Sequence, residues 1–120
     1  MYRVRVMDYF SSAHNLRGYE GNCERLHGHN WKVEVELQGD KLDNIGMLVD
    51  FKILKRSLKK ILDELDHTYL NEHNYFKDVN PTSENMAKYI FDRLKNDFGD
   101  LVYKVSVWES HNAVAEYLES

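Results

Sequence analysis

The stretch Cys23-Glu24-Arg25-Leu26-His27-Gly28-His29 collects the residue types that hold a metal ion beside a reactive thiol. His27 and His29 are two apart. On an extended chain side chains alternate between faces, so both imidazoles project to the same side if the stretch heads a strand. Gly28 adds no bulk between them and lets the backbone approach whatever the imidazoles hold. Cys23 is the only cysteine of the chain. A third imidazole, His14, converges on the pair if the strands carrying them are neighbours. Three imidazoles leave the fourth position of a tetrahedral zinc open, which is the pattern of a catalytic site. Two other readings stand beside it: a closed structural zinc with Cys23 as fourth ligand, and no metal at all. The open site is the reading adopted here, because a lone thiol in a glycine- and asparagine-rich loop near a metal points to reactivity.

A reactive thiol needs an acid/base partner, and Asp66-His67 is the candidate. Adjacent residues on a helix do not face one another, so a backbone break is needed for the carboxylate to orient the imidazole. The competing reading is a histidine at a helix C-terminus, favoured by the helix dipole. Glu109 stands on the parity of Val105 and Val107, where an apolar residue is due. A carboxylate there is at a strand end in water, paired, or holding a ligand. His73 and His111 have no visible partner and read as surface histidines.

The elements that position these groups follow from periodicity. Tyr2, Val4, Val6 and Phe10 share one parity and Arg3 and Arg5 the other, which predicts a strand; continued through Ser12, it places His14 on the apolar face. A loop over 15–22 follows. Trp31, Val33, Val35 and Leu37 alternate with Lys32, Glu34 and Glu36, and His27 and His29 share the parity of the apolar row. Asp50 is suited to cap a helix whose stripe is Phe51, Leu54, Leu58, Ile61, Leu62 and Leu65, ending near Asp66-His67. Its Lys52, Lys55, Arg56, Lys59 and Lys60 read as a solvated face. Thr82 or Ser83 caps a second helix with the stripe Ala87, Ile90, Phe91, Leu94 and Phe98, stopped by Gly99. Tyr103, Val105 and Val107 then mark a strand, Ser110-His111-Asn112 a turn, and Ala113 to Tyr117 a closing strand. Two hairpins with two helices on one face make a single α+β domain over residues 1–120.

Composition narrows the function classes. The chain has 120 residues, enough to bury roughly two-thirds of its unfolded surface. Lys plus Arg total 16 against 20 for Asp plus Glu, a net charge of -4, which argues against a general nucleic-acid binder. One cysteine leaves no internal disulfide and fits a reducing compartment. No apolar run approaches the ~18 residues of a membrane span, and no signal-peptide pattern opens the chain. The expectation is a cytoplasmic protein without membrane or nucleic-acid partners.

Taken together, the segments Ser12-Ala13-His14, Cys23-x-x-x-His27-Gly28-His29-Asn30, Gly46-Met47-x-Val49-Asp50-Phe51, Leu65-Asp66-His67-x-x-Leu70-Asn71, Pro81-Thr82-Ser83-Glu84-Asn85 and Glu109 resemble the 6-pyruvoyltetrahydropterin synthase family over nearly the whole chain. The resemblance implies a tunnelling fold (T-fold), in which the sheets of several subunits close a barrel and trimers stack into a homohexamer. It implies zinc on His14, His27 and His29, and a proton-transfer set of Cys23, Asp66 and His67 assembled across a subunit interface. It also implies a pterin anchor at Glu109 and substrate contacts at Thr82 and Ser83.

Three residues between the cysteine and His-Gly-His resemble the 6-carboxytetrahydropterin synthases of queuosine biosynthesis. These are lyases that convert 7,8-dihydroneopterin triphosphate to 6-carboxy-5,6,7,8-tetrahydropterin, releasing acetaldehyde and triphosphate. The alternatives are the pyruvoyl-forming enzyme, a phosphorus–oxygen lyase, and a folate-pathway paralogue that cleaves dihydroneopterin derivatives and uses a glutamate near Glu24. A non-catalytic pterin- or zinc-binding module is the remaining class. Arg17, Arg25 and Lys52 are undirected candidates for the triphosphate.

Overall fold

The computed structural model describes residues 1–18 and 25–119. Cys23 and Glu24 lie outside them. The alternation read in the sequence forms four strands: β1 (Tyr2–His14), β2 (His27–Gly39), β3 (Val102–Ser110) and β4 (Ala113–Tyr117), hydrogen-bonded antiparallel in the order β1-β2-β3-β4. Two helices, α1 (Phe51–Leu65) and α2 (Ser83–Phe98), stand between the hairpins in sequence. Val6, Phe10, Trp31, Val33, Val35, Leu37, Val105 and Val107 form one buried cluster with Leu54, Leu58, Ile61, Leu62 and Leu65 of α1 and Met86, Ala87, Ile90, Phe91 and Leu94 of α2. Both helices therefore cover the same face of the sheet, as an α+β layering requires.

Local chemistry sets the boundaries. The Asp50 carboxylate accepts from the Lys52 amide at the start of α1, and the Thr82 hydroxyl accepts from the Asn85 amide at the start of α2. Gly99, at φ 56°, closes α2 in a conformation that favours glycine. Phe51, expected in the core stripe, stands at the first helical position, is 52% exposed and lines a surface groove with Val4 of β1 and Leu48. Tyr103, expected to share the core face of Val105, does not. The pairing with β2 shifts register between Glu36 and Leu37, so Val102 takes the buried place, and the Tyr103 ring lies 4.3 Å under the Arg3 guanidinium.

The helix-free face is more buried than its polar alternation suggests. Glu34 and Glu36, on central strand β2, are covered by longer cations from β1, β2 and β3: Arg5 reaches both, Lys32 reaches Glu34, and Lys104 reaches Glu36. Burial alone would raise the Glu34 carboxyl, but hydrogen bonds from Lys32 and Arg5 outweigh it and hold the group below its usual range.

Strand β1 is one edge of the sheet, and its His14 end is covered by the chain that leaves α1. The His67 amide donates to the Ser11 carbonyl (2.5 Å), the Ala13 amide donates to the Thr68 carbonyl (3.0 Å), and Ala13 and Tyr69 form a parallel bridge. This segment brings Asp66 and His67 beside the strand that carries His14.

Candidate metal and pterin site

The antiparallel register places His14 opposite His27 and Ser12 opposite His29, so all three imidazoles arise at one end of the β1–β2 pair, on the helix-covered side. One nitrogen from each lies within 4.8 Å of the others. Trp31 forms the floor beneath them, fully buried, with its ring edge-on to His14 (4.9 Å between centroids) and tilted against His29 (5.1 Å).

The tautomers follow from carbonyl partners. A carbonyl oxygen only accepts, so His14 Nδ1 donates to Pro81 O (2.7 Å) and His27 Nδ1 donates to Arg25 O (2.7 Å). Both Nε2 atoms then carry bare lone pairs, and they face each other at 3.0 Å. Two lone pairs at that separation repel unless a cation stands between them. His29 Nε2 is buried and has no hydrogen-bond partner among the described residues, although Glu109 Oε1 comes within 3.3 Å. Burial lowers the pKa of His14 and of His29, and the neighbouring imidazoles lower both further. The Pro81 carbonyl partly offsets this for His14, and the Glu109 carboxylate does so for both. Neutral, convergent nitrogens with backbone-fixed tautomers and one orphaned buried atom fit a divalent metal with an affinity for imidazole. Among the described residues the convergent set is three histidines.

Among the described residues, a Cβ at Gly28 would meet only the Ser12 carbonyl oxygen, at 3.9 Å.

A groove of about 500 Å³ opens beside this cluster, lined among others by Ser12, Gly28, His29, His67 and Tyr69. His67 reaches it through the backbone break that the sequence required. Asp66 ends α1 in an extended conformation, and His67 follows at φ 54°, a left-handed value few non-glycine residues adopt. The turn brings Asp66 Oδ2 to 3.0 Å from His67 Nδ1, while Asp66 Oδ1 accepts from the Ser11 amide at 2.8 Å. That amide hydrogen bond, then His67, hold the Asp66 carboxyl below its usual range against a smaller opposing effect of burial. His67 itself, the residue after the cap of α1, presents an 81% exposed side chain at the groove with Asp66 against its Nδ1.

Glu109 sits where the β3–β4 pairing shifts register, between Trp108 and Ser110, and its side chain is 39% exposed. The carboxylate, on the parity of Val105 and Val107, reaches the face that carries His29. Thr82 and Ser83 lie next to Pro81, whose carbonyl holds His14, with the Thr82 hydroxyl engaged as the helix cap. The cations considered for a triphosphate, Arg17, Arg25 and Lys52, are all exposed, and the Arg17 guanidinium is tied to Phe76 O and Asn80 Oδ1. His73 is not a surface residue. It is half-buried against Phe76 and Tyr89, and its Nδ1 accepts from the Tyr75 amide. Sequence spacing carried no signal for the carbonyl partners Pro81 and Arg25.

The model of the family described as 6-pyruvoyl tetrahydropterin synthase matches residues 3–120. The chain belongs to the 6-pyruvoyl tetrahydropterin synthase family. Among its relatives, the chain is 32% identical to a 6-carboxy-5,6,7,8-tetrahydropterin synthase of Haemophilus influenzae, over 99% of this chain and 100% of the relative. It is 36% identical to a protein of the same name from Synechocystis, over 90% of this chain and 86% of the relative. The fold is that of the 6-pyruvoyl tetrahydropterin synthase of Caenorhabditis elegans, with a TM-score of 0.91 and 31% identity over 99% of this chain and 96% of that one. No described helix is long and apolar enough to cross a membrane.

Proposed function

We propose that this member of the family is a 6-carboxy-5,6,7,8-tetrahydropterin synthase, a zinc-dependent carbon–carbon lyase. It takes 7,8-dihydroneopterin triphosphate and one water to 6-carboxytetrahydropterin with release of acetaldehyde and triphosphate, on the route to queuosine. The observation that carries the reading is the convergence of His14, His27 and His29, with a buried His29 Nε2 that has no hydrogen-bond partner among the described residues, beside a groove that His67 also lines. Relatives of that name, similar along most of their length, and the three-residue spacing from Cys23 to His27 support the carboxy product.

His14, His27 and His29 would hold the metal. Bound zinc supplies a Lewis acid that polarises side-chain oxygens of the substrate. His67, kept in one orientation by Asp66, transfers a proton at its free Nε2, and Cys23, as thiolate, serves as the second proton-transfer group. A pterin presents an amino group and a ring N–H side by side; Glu109 accepts both in parallel, and Thr82 and Ser83 contact the same ring. The sheet edges at β1 and β4 pair between subunits to close the barrel of a homohexamer, the arrangement that brings Cys23 to the Asp66–His67 pair of another chain.

A second reading, the pyruvoyl-forming activity, draws support from the likeness to the C. elegans protein of that name. Incubating the zinc-loaded protein with 7,8-dihydroneopterin triphosphate and identifying the products separates the two. Acetaldehyde with 6-carboxytetrahydropterin supports the proposal; 6-pyruvoyltetrahydropterin without acetaldehyde replaces it with the second reading; no turnover with tight pterin binding leaves a binding module.

A further inference from the structure

Three segments singled out in the sequence end in asparagines, and to two of these, Asn71 and Asn85, the structure gives hydrogen bonds near His14 that the chemistry above does not use. The structure shows what they hold. The Asn71 side-chain amide pairs with the backbone of Asn15 in both directions: Asn15 N donates to Asn71 Oδ1 (3.0 Å), and Asn71 Nδ2 donates to Asn15 O (2.9 Å). Asn80 does the same for Arg17, with Arg17 N donating to Asn80 Oδ1 (3.0 Å) and Asn80 Nδ2 donating to Arg17 O (2.8 Å). The Arg17 guanidinium adds a third contact to Asn80 Oδ1 at 3.3 Å. Residues 15 and 17 are two apart, so each side-chain amide imitates one rung of a strand pairing, on the three residues that follow His14.

Asn80 is itself fixed. Its carbonyl accepts from the Thr82 amide (2.8 Å) and from Asn85 Nδ2 (2.9 Å). The next residue, Pro81, has the carbonyl that accepts from His14 Nδ1, and His14 is 1% exposed. The chain on the C-terminal side of His14 and the acceptor that aims its ring are therefore joined through one side chain, Asn80. An imidazole bound to a metal is oriented by the partner of its other nitrogen. A partner carbonyl that shifts with respect to the strand end would turn the ring away from His27 and His29.

We infer that Asn80, assisted by Asn71, is a positioning residue for metal binding, which locks the Asn15–Arg17 segment to the Pro81 carbonyl and so fixes the direction of His14 Nε2. The inference rests on the reading of the three histidines as a metal site, and the experiment separates failure of one from failure of the other. Zn²⁺ and Co²⁺ affinities are measured by competition with a chromophoric chelator, and the visible spectrum of bound Co²⁺ is recorded, for the full chain and for Asn80→Ala, Asn80→Asp, Asn71→Ala and Asp50→Ala.

Asn80→Ala is expected to bind both ions about tenfold or more weakly and to show an altered Co²⁺ spectrum. Asn80→Asp keeps the acceptor for Arg17 N and falls between it and wild type. Asp50→Ala removes the cap of α1, away from the site, and is expected to lower the thermal midpoint while leaving affinity and spectrum unchanged. Wild-type affinity and spectrum in Asn80→Ala overturn the inference. If Asn80→Ala does not fold by circular dichroism, wild-type affinity and spectrum in both Asn80→Asp and Asn71→Ala overturn it instead. A wild-type chain that binds neither ion overturns the metal reading, and the inference with it.

Discussion

Glu109→Gln is nearly isosteric and removes the carboxylate charge that stands 3.3 Å from His29 Nε2. In the proposed pose the carboxylate accepts two parallel N–H groups of the pterin. The glutamine retains one acceptor and turns a donor toward the second N–H. A hydrogen bond to a charged group contributes about 1.5–3 kcal/mol, and a donor left unpaired on binding costs about 1–3 kcal/mol. The Glu109 side chain is 39% exposed in the single chain, so water competes for it and the sum belongs low in its range. A loss of about 2.5 kcal/mol is expected, or roughly 70-fold in Kd. The assay is isothermal titration of the zinc-loaded protein and its variant with neopterin, with metal content measured on the same samples. The variant should keep its metal. A Kd within about threefold of wild type refutes the anchor and leaves a strand-end carboxylate. Loss of metal together with pterin affinity would instead assign Glu109 to His29, from which it stands 3.3 Å in the present structure.

Cys23→Ala should retain about one zinc per chain, measured by atomic emission, and lose turnover; loss of the metal would make Cys23 a ligand and the site a closed one. The metal-stripped protein should become less stable on acidification. Burial lowers the folded pKa values of His14, His29 and His73 below 6.5, so the unfolded chain binds more protons once the pH falls below that value. Their contribution is fully present above 6.5 and is lost as the pH falls toward the folded values, in urea melts between about pH 7.5 and about pH 5. A midpoint that stays flat across that window contradicts the neutral assignments. Asp66 acts in a separate window: its folded value lies below 3.8, and its contribution is lost only as the pH falls through that lower value. Light scattering at micromolar concentration should report a hexamer, because the Tyr2–Tyr9 half of β1 and the outer side of β4 are sheet edges unpaired among the described residues; a monomer refutes both the barrel and a site shared between subunits.

Sequence alone determined the elements and the identity of the metal-binding candidates, because both depend on short-range periodicity. Alternation placed His27, His29 and Trp31 on one face of one strand, and helical spacing with capping residues bounded α1 and α2. It also showed that His14 could join the pair, on the condition that two strands be neighbours. Only the tertiary structure met that condition, through a register that sets His14 against His27. It also decided what a one-dimensional pattern cannot carry. The left-handed turn at His67 folds Asp66 back onto its neighbour. A bulge displaces Tyr103, since one extra residue reverses every later parity, and strand pairing brings Glu109, on the parity of Val107, to 3.3 Å from His29. Glu34 and Glu36 become buried because their central strand is flanked by long cations on both sides. The Pro81 carbonyl that orients His14 lies 67 residues away along the chain, a contact between a backbone atom and a side chain that no residue type announces.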